Sequence, residues 1–319
     1  MNSEKICSII CITYNHALYS QKAIESIAKQ DYQYIEIIVV DDGSTDGNDT
    51  VVRKALEASG RPFKLLDQEN TGNVALNLNR GLKAATGSHV SLLSLDDVLY
   101  PNCISSKMDL LCADPNLAFV ANTCNTEIDK NGNIIVDSFQ SATFGKKLYS
   151  AAELLEYEFN NIGTFYLQGT VVRRDIVKEF DGFDDDMTGD DIIFRTKLFR
   201  LMTTRPDLQF ALLHFPGMAY RKHDNNIHYN LWRQVRTVVE WKNRYFPDRK
   251  LPLEAVLWIK SFFDQSMSNN SLEDIKRAIE FDSQLAEIHR AHTSTWRWRR
   301  EHMSKVFLRI FRGILSRKS

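Results

Sequence analysis

The acidic residues of this 319-residue chain include several adjacent pairs, and such pairs can do specific chemistry. Asp41-Asp42 and Asp96-Asp97 each follow a short apolar run. A third cluster runs from Asp184-Asp185-Asp186 to Asp190-Asp191, and His223 stands in the polar string Tyr220-Arg221-Lys222-His223-Asp224-Asn225-Asn226. Neighbouring carboxylates raise each other's pKa unless a cation or water separates them. A hard divalent ion bridging them to a diphosphate removes that conflict, because oxygen ligands are what such ions take. Simpler roles stay open. Asp41-Asp42-Gly43-Ser44 suits a turn with an Asp N-cap, Asp96-Asp97 suits a helix N-terminus ahead of Pro101, and His223 alone suits a hydrogen-bonded surface histidine. Capping accounts for one acid of the third cluster and not for the others. An EF-hand loop does not fit, since the twelfth residue from Asp42 is Arg53, where a bidentate Glu is needed.

The elements that must carry these residues are legible from periodicity. Ile6–Thr13 and Ile35–Val40 are continuous apolar, β-branched runs, and between them Ala23, Ile24, Ile27 and Ala28 share one helical face of Leu18–Lys29. Helix at Thr50–Ala58, strand at Phe63–Leu66, helix at Val74–Ala85 and strand at Val90–Leu95 continue the alternation, so the class is α/β with a mainly parallel sheet. Ligands of such sheets sit beyond the carboxyl ends of the strands, where Asp41-Asp42 and Asp96-Asp97 fall. Phe119–Ile128 and Ile134–Asp137 flank an Asn-Gly turn and read as a hairpin. From about Leu231 glycine nearly vanishes and helix-biased sequence takes over, which places a catalytic or binding domain at 1–230 and a helical region at 231–319.

Composition narrows the function. Forty Lys and Arg against 41 Asp and Glu give a net charge of −1, so the chain lacks the global basic signature that nucleic-acid binding requires. No two glycines lie two or five residues apart, which excludes the GxGxxG and GxxxxGK phosphate loops. Any bound nucleotide must therefore have its phosphates held by carboxylates and a metal. Five cysteines, with no CxxC pair and no zinc-type spacing, point to a reducing cytoplasm, and no apolar run reaches the roughly 18 residues that span a bilayer.

The strings IICITYNHALYSQKAIESI, IIVVDDGSTDG, NTGNVALNLNRGLKAATG, SLLSLDDVLYP, the Gly182-Phe183 turn with Asp190-Asp191, and YRKHDNN together resemble a family 2 glycosyltransferase of the GT-A fold, over roughly residues 5–228. The resemblance implies a Rossmann-like, mainly parallel sheet flanked by helices, with a helical C-terminal extension. It also implies a nucleotide-sugar donor and transfer by single displacement with inversion. Carried over by position, Thr13, Tyr14, Asn15, Asp41 and Asp42 resemble the base and ribose pocket. Asp96 and Asp97 resemble the acids that hold Mn²⁺ or Mg²⁺ against the diphosphate, with Asp97 the leading ligand, and His223 resembles the histidine that approaches the metal. Asp191 matches the general base, and Asp190 stands where Glu is more common. Ser94 replaces the first Asp of a DxDD string. Leu78 replaces the Arg that commonly precedes the residue matched by Asn79, itself expected near the phosphates.

The implied acceptor is a hydroxyl of a glycan or of a lipid-linked glycan of bacterial surface-polysaccharide type. Two other classes share the fold: a non-catalytic sugar-nucleotide or glycan-binding relative, and a nucleotidyltransferase, which needs a Gly/Arg-rich N-terminal loop that Thr13-Tyr14-Asn15-His16 does not provide. The tail adds a further expectation. Residues 286–319 carry nine Lys or Arg against two acids. In helical projection Val306, Phe307, Leu308, Ile310, Phe311, Ile314 and Leu315 cover one broad face, with Lys305, Arg309 and Arg312 in a narrow basic stripe. That pattern suits a helix on an anionic membrane, placing the protein peripherally at the inner face of the plasma membrane. The competing reading packs the apolar face on the catalytic domain or in a homodimer.

Overall fold

The computed structural model describes residues 5–224, 226–269 and 271–295. These form two compact units, one ending at Asn226 and the other beginning at Ile227. In chain order the first unit comprises β1 (Cys7–Thr13), α1 (Ser20–Ala28), β2 (Ile35–Asp41), α2 (Asn48–Ala58), β3 (Phe63–Asp67), α3 (Val74–Ala84), β4 (His89–Ser94), β5 (Val98–Leu99), α4 (Ser105–Ala113), β6 (Leu117–Ile128), β7 (Ile134–Gln140), α5 (Ala151–Asn161), β8 (Val171–Arg173), α6 (Arg174–Glu179), α7 (Asp191–Thr204) and β9 (Gln209–Arg221).

The strands make one sheet in the order β3-β2-β1-β4-β8-β6-β9-β5, with β7 paired to β6. β1 to β4 are parallel, β8 runs against both β4 and β6, and β9 runs parallel to β6. The unbroken apolar character of β1 and β2 follows from burial on both faces. Ile9, Cys11, Ile37 and Val39 pack with Ile24 and Ile27 of α1 and Val52 and Leu56 of α2, whereas Ile10 and Ile38 pack with Leu78 of α3 and with Phe194 and Phe199 of α7. α3 lies close enough to β1 that a Cβ on Gly81 would come 2.2 Å from Ile10 Cγ2.

Several elements depart from the sequence reading. Asp96-Asp97 does not open a helix: the chain turns into β5, and α4 starts only at Ser105. β9 carries Pro216 and Gly217, residues that argue against a strand, yet it pairs along most of β6 through register shifts near Cys124. Gly217 makes this approach possible, since a Cβ there would lie 2.1 Å from Asn122 Oδ1.

The second unit contains α8 (Leu231–Tyr245), α9 (Leu253–Ser268), α10 (Leu272–Phe281) and α11 (Ser283–Thr293). Its core joins Val235, Val239, Ile259, Phe262, Phe263, Ile275 and Leu285. No helix among the described residues is long and apolar enough to cross a membrane. The basic amphipathic stretch at 296–319 lies outside the described residues.

Candidate active site

Strand direction decides which residues meet. β6 and β4 both oppose β8, and β9 follows β6, so β1, β2, β4 and β9 all end at the same edge of the sheet. The register sets Thr13 beside Asp41 and Ile12 beside Ser94. The loops leaving these ends carry the candidate residues.

Asp96, His16 and His223 converge there. Each offers a ligand atom, and the three atoms lie within 4.8 Å of one another. His223 Nε2 is 3.0 Å from Asp96 Oδ2, and His16 Nε2 is 3.9 Å from the same oxygen. Tyr19 stacks on the His223 ring at 5.1 Å, and Asn226 Oδ1 accepts the His223 backbone N–H at 2.6 Å, which together hold the imidazole in place. Burial lowers the pKa of His16, with Asp96 opposing the shift. Burial also pushes the Asp96 carboxyl upward, but the hydrogen bond from His223 and the charge of His16 outweigh it, leaving Asp96 below the ordinary range. His16 Nδ1, Asp96 Oδ1 and Asp97 Oδ2 are buried with no hydrogen-bond partner among the described residues. Buried polar atoms are costly when unpaired, so this cluster fits a bound cation whose remaining ligands come from elsewhere.

Asp97 stands apart from the three. It is fully buried, and its Oδ1 accepts the backbone N–H of Arg221 at 2.7 Å. Desolvation and the neighbouring Asp96 push its pKa well above the ordinary carboxylate value. Asp96 is the carboxylate turned toward the histidines, and Asp97 Oδ2, like Asp96 Oδ1, has no hydrogen-bond partner among the described residues. Arg221, 2% exposed, organises both acids: its Nε donates to the Asp96 carbonyl at 2.7 Å, Nη1 donates to the Asp129 carbonyl at 3.1 Å, and its guanidinium lies 4.8 Å from the Tyr19 ring centre.

Beside this cluster, Asn48 Nδ2 donates to Thr13 Oγ1 at 3.0 Å and to Asp41 Oδ2 at 2.8 Å, tying the ends of β1 and β2 together. Asn15 adopts a positive φ of 56°, and its Oδ1 accepts the Thr45 N–H at 2.8 Å. Tyr14 is 46% exposed and available to a planar ligand. Two expected pocket residues have other employment. Burial alone would raise the Asp42 pKa, but donors from Thr71, Asn77 and Gln68 outweigh it and hold the carboxyl below its usual range; with the Gly72 N–H also donating to it, Asp42 anchors the 68–72 loop. Asn79 exchanges two hydrogen bonds with the Phe183 backbone, at 2.8 and 2.9 Å, and fixes the loop ahead of the third acidic cluster.

In that cluster Asp190 caps α7 and Asp191 is its first residue. The packed surroundings and then the charge of Asp190 drive the Asp191 pKa up to about 7, with Arg195 opposing. The side chain keeps 48% exposure, so water tempers this shift and leaves the carboxyl reachable. Below it Arg195 donates three hydrogen bonds to Glu158, a fully buried carboxylate that also accepts the Thr164 N–H and hydroxyl, and Arg195 Nη1 reaches the Phe165 carbonyl at 3.1 Å. The same 162–168 stretch ends in Gln168, whose Oε1 accepts the Ser94 N–H at 2.7 Å. Asn48 and Arg195 were not anticipated from the sequence; Glu158 and Gln168 fall in the 157–168 stretch expected to bear on acceptor choice, and Arg221 in the YRKHDNN string, but their bonding roles were not anticipated. His16 left a signal there as the next residue after Thr13-Tyr14-Asn15, and Arg221 as a neighbour of His223.

The fold is that of a GT-A α/β protein whose sheet edge gathers His16, Asp96 and His223. Residues 8–180 match the model of Glycosyl transferase family 2, and the chain belongs to that family. Among curated relatives it is 35% identical over 103 residues to glycosyltransferase GlyG of Streptococcus pneumoniae, covering 32% of this chain and 34% of that protein. It is 34% identical over 153 residues to the GalNAc(5)-diNAcBac-PP-undecaprenol beta-1,3-glucosyltransferase of Campylobacter jejuni, covering 48% and 46%. The chain thus spans less than half the length of either relative. Among solved structures, S. aureus TarS 1-349 in complex with UDP-GlcNAc superposes with a TM-score of 0.58 at 18% identity, over 82% of this chain and 73% of that one. The mannosyltransferase PcManGT of Pyrobaculum calidifontis, in complex with GDP-Man and Mn2+, does so with a TM-score of 0.55 at 18% identity, over 96% and 85%.

Glu158→Gln should destabilise the fold by about 3–5 kcal/mol in urea denaturation, because Arg195 would stay buried without its principal counter-charge. A loss below about 1 kcal/mol would remove the pair from its organising role.

Proposed function

We propose that this protein is a metal-dependent inverting glycosyltransferase, moving a sugar from a nucleotide-sugar donor to a hydroxyl of a glycan or lipid-linked glycan. The observation that carries the reading is the convergence of Asp96, His16 and His223 at the sheet edge, with buried polar atoms left unpaired, in a chain of glycosyl transferase family 2. Asp96, His223 and His16 would hold the ion, and two imidazoles with one carboxylate suit Mn²⁺ better than the oxygen-seeking Mg²⁺. When bound, such an ion supplies Lewis-acid stabilisation of a leaving diphosphate. Thr13, Tyr14, Asn15 and Asp41 border the nucleoside side of the pocket. Asp191 accepts the proton of the attacking acceptor hydroxyl, and Asp190 and the buried Glu158–Arg195 pair set its basicity and position.

UDP-GlcNAc in TarS and GDP-Man with Mn2+ in PcManGT support a nucleotide-sugar donor, and the undecaprenol-linked glycan named for the Campylobacter relative supports a lipid-linked acceptor. The reading extends to the tail, which lies outside the described residues: the basic and apolar sequence of 296–319 would attach the protein to the anionic inner face of the plasma membrane. Full-length protein should sediment with anionic and not neutral vesicles, and a chain ending at residue 295 should sediment with neither. Equal binding by both forms would refute the anchor.

Asp191→Asn should slow transfer by about 10² to 10⁴ while donor binding persists. Because the working form is the carboxylate, wild-type turnover should rise with pH through the neighbourhood of about 7, and this limb should vanish in the variant. The stability sign is opposite: a carboxyl whose pKa is raised on folding costs stability as pH climbs above its unfolded value, so at pH 8 Asp191→Asn should melt no lower than wild type. Unchanged turnover in the variant would exclude Asp191 as the base.

Asp96→Asn should abolish the Mn²⁺-dependent part of the thermal shift given by UDP or GDP, whereas Asp97→Asn, which keeps an oxygen for the Arg221 N–H, should melt no lower than wild type without the metal. If wild-type activity survives exhaustive chelation, the metal assignment falls.

A further inference from the structure

The helical unit carries a solvent-open cleft of about 420 Å³, lined by residues of that unit. Its walls come from the segment opening α8 (Tyr229 to Trp232), the last turn of α9 (Gln265, Ser266, Asn269) and the start of α10 (Ser271, Asp274, Arg277). The catalytic reading above uses none of them.

Three features of the lining give it a chemical character. First, Trp232 Nε1 is buried and has no acceptor among the described residues, although the indole is fixed by Phe281 edge-on at 5.5 Å, by Phe262 at 6.0 Å and by the Arg277 guanidinium 4.9 Å from the ring centre. A rigid indole with a dry, unpaired N–H calls for an acceptor atom from a ligand or a trapped solvent molecule. Second, Gln265 and Asn269 stand one helical turn apart on α9 and present two carboxamides, each able to donate and to accept. Third, the cleft has one cationic and one anionic side chain, Arg277 and Asp274, the latter accepting the Ser271 hydroxyl. A carboxylate in the lining disfavours a phosphate or sulfate ligand, and the polar walls disfavour an acyl chain. A ligand that offers donors and acceptors together without net charge satisfies all of these groups. Vicinal hydroxyls on a pyranose ring do so, and Tyr229, 55% exposed at the cleft, supplies an aromatic surface of the kind such rings lie against.

We propose that this cleft is a carbohydrate-binding site separate from the sheet-edge site. It takes a neutral pyranose unit of a glycan, with Trp232 Nε1 and Arg277 donating to ring or hydroxyl oxygens and Asp274 accepting from a hydroxyl.

The test uses the full chain carrying Asp191→Asn, so that turnover does not confuse binding, and probes it with free glucose, galactose, mannose, N-acetylglucosamine and N-acetylgalactosamine and their β-linked disaccharides. Saturation-transfer NMR should detect at least one saccharide whose signal survives saturating UDP and Mn²⁺, conditions that occupy the sheet-edge site. Asn269→Ala and Arg277→Ala, both at exposed positions, should weaken that signal by about tenfold each, and Trp232→Phe, which keeps the aromatic packing and removes only the donor-bearing ring, should do the same. The proposal is overturned if no saccharide gives a UDP-resistant signal, if the surface variants leave it unchanged, or if inorganic phosphate displaces it, which would make the ligand an anion. Because the readout is binding in a turnover-blocked chain, its failure leaves the glycosyltransferase reading standing, and loss of that reading does not remove this site.

Discussion

Two carboxylates on consecutive residues, both removed from water, repel one another and each loses hydration, and the architecture around Asp96 and Asp97 answers that problem. The answer is to divide them. Asp97 is turned to β9 and takes the Arg221 N–H, while Asp96 is turned to the loop after β9 and to the loop after β1, where His223 and His16 meet it. Arg221 connects the two halves, since its backbone bonds the Asp97 carboxylate and its side chain bonds the Asp96 carbonyl. The same guanidinium reaches the carbonyl of Asp129, the turn of the β6–β7 hairpin, so the sheet edge, the hairpin and the acid pair are locked by one buried cation.

Around that core the chain separates groups that hold loops from groups that stay available. Asp42 and Asn79 spend their polar atoms on the 68–72 loop and on Phe183. Glu158 spends its charge on Arg195 and on Thr164. In contrast, Asp191 keeps an open side chain under a raised pKa, and the Asp96–Asp97 pair keeps one oxygen on each residue without a hydrogen-bond partner among the described residues. Strained or unsatisfied groups persist only where the surroundings over-determine them, and these two stand on structures fixed by several independent hydrogen bonds.

The α/β class, the parallel strands β1 to β4 and the placing of acids at their carboxyl ends were determined by the sequence alone. A strand buried on both faces must be apolar throughout, and the loop after it must hold whatever is polar, so Ile35–Asp41 announces both itself and the pair that ends it. Tertiary structure alone decided which donors each acid meets. Asp42 and Asp97 look like Asp41 and Asp96 in the sequence, because adjacency gives each pair the same local chemistry. The distinction depends on donors 29 or 124 positions away, Thr71 and Arg221, that no local pattern reveals. Likewise β9 contains Pro216 and Gly217, which argue against a strand, yet β6 supplies the partner strand, and the direction of β9 is what carries His223 across 127 residues to Asp96. Side-chain pairing at such separations is set by strand order and register, and those are properties of the folded sheet.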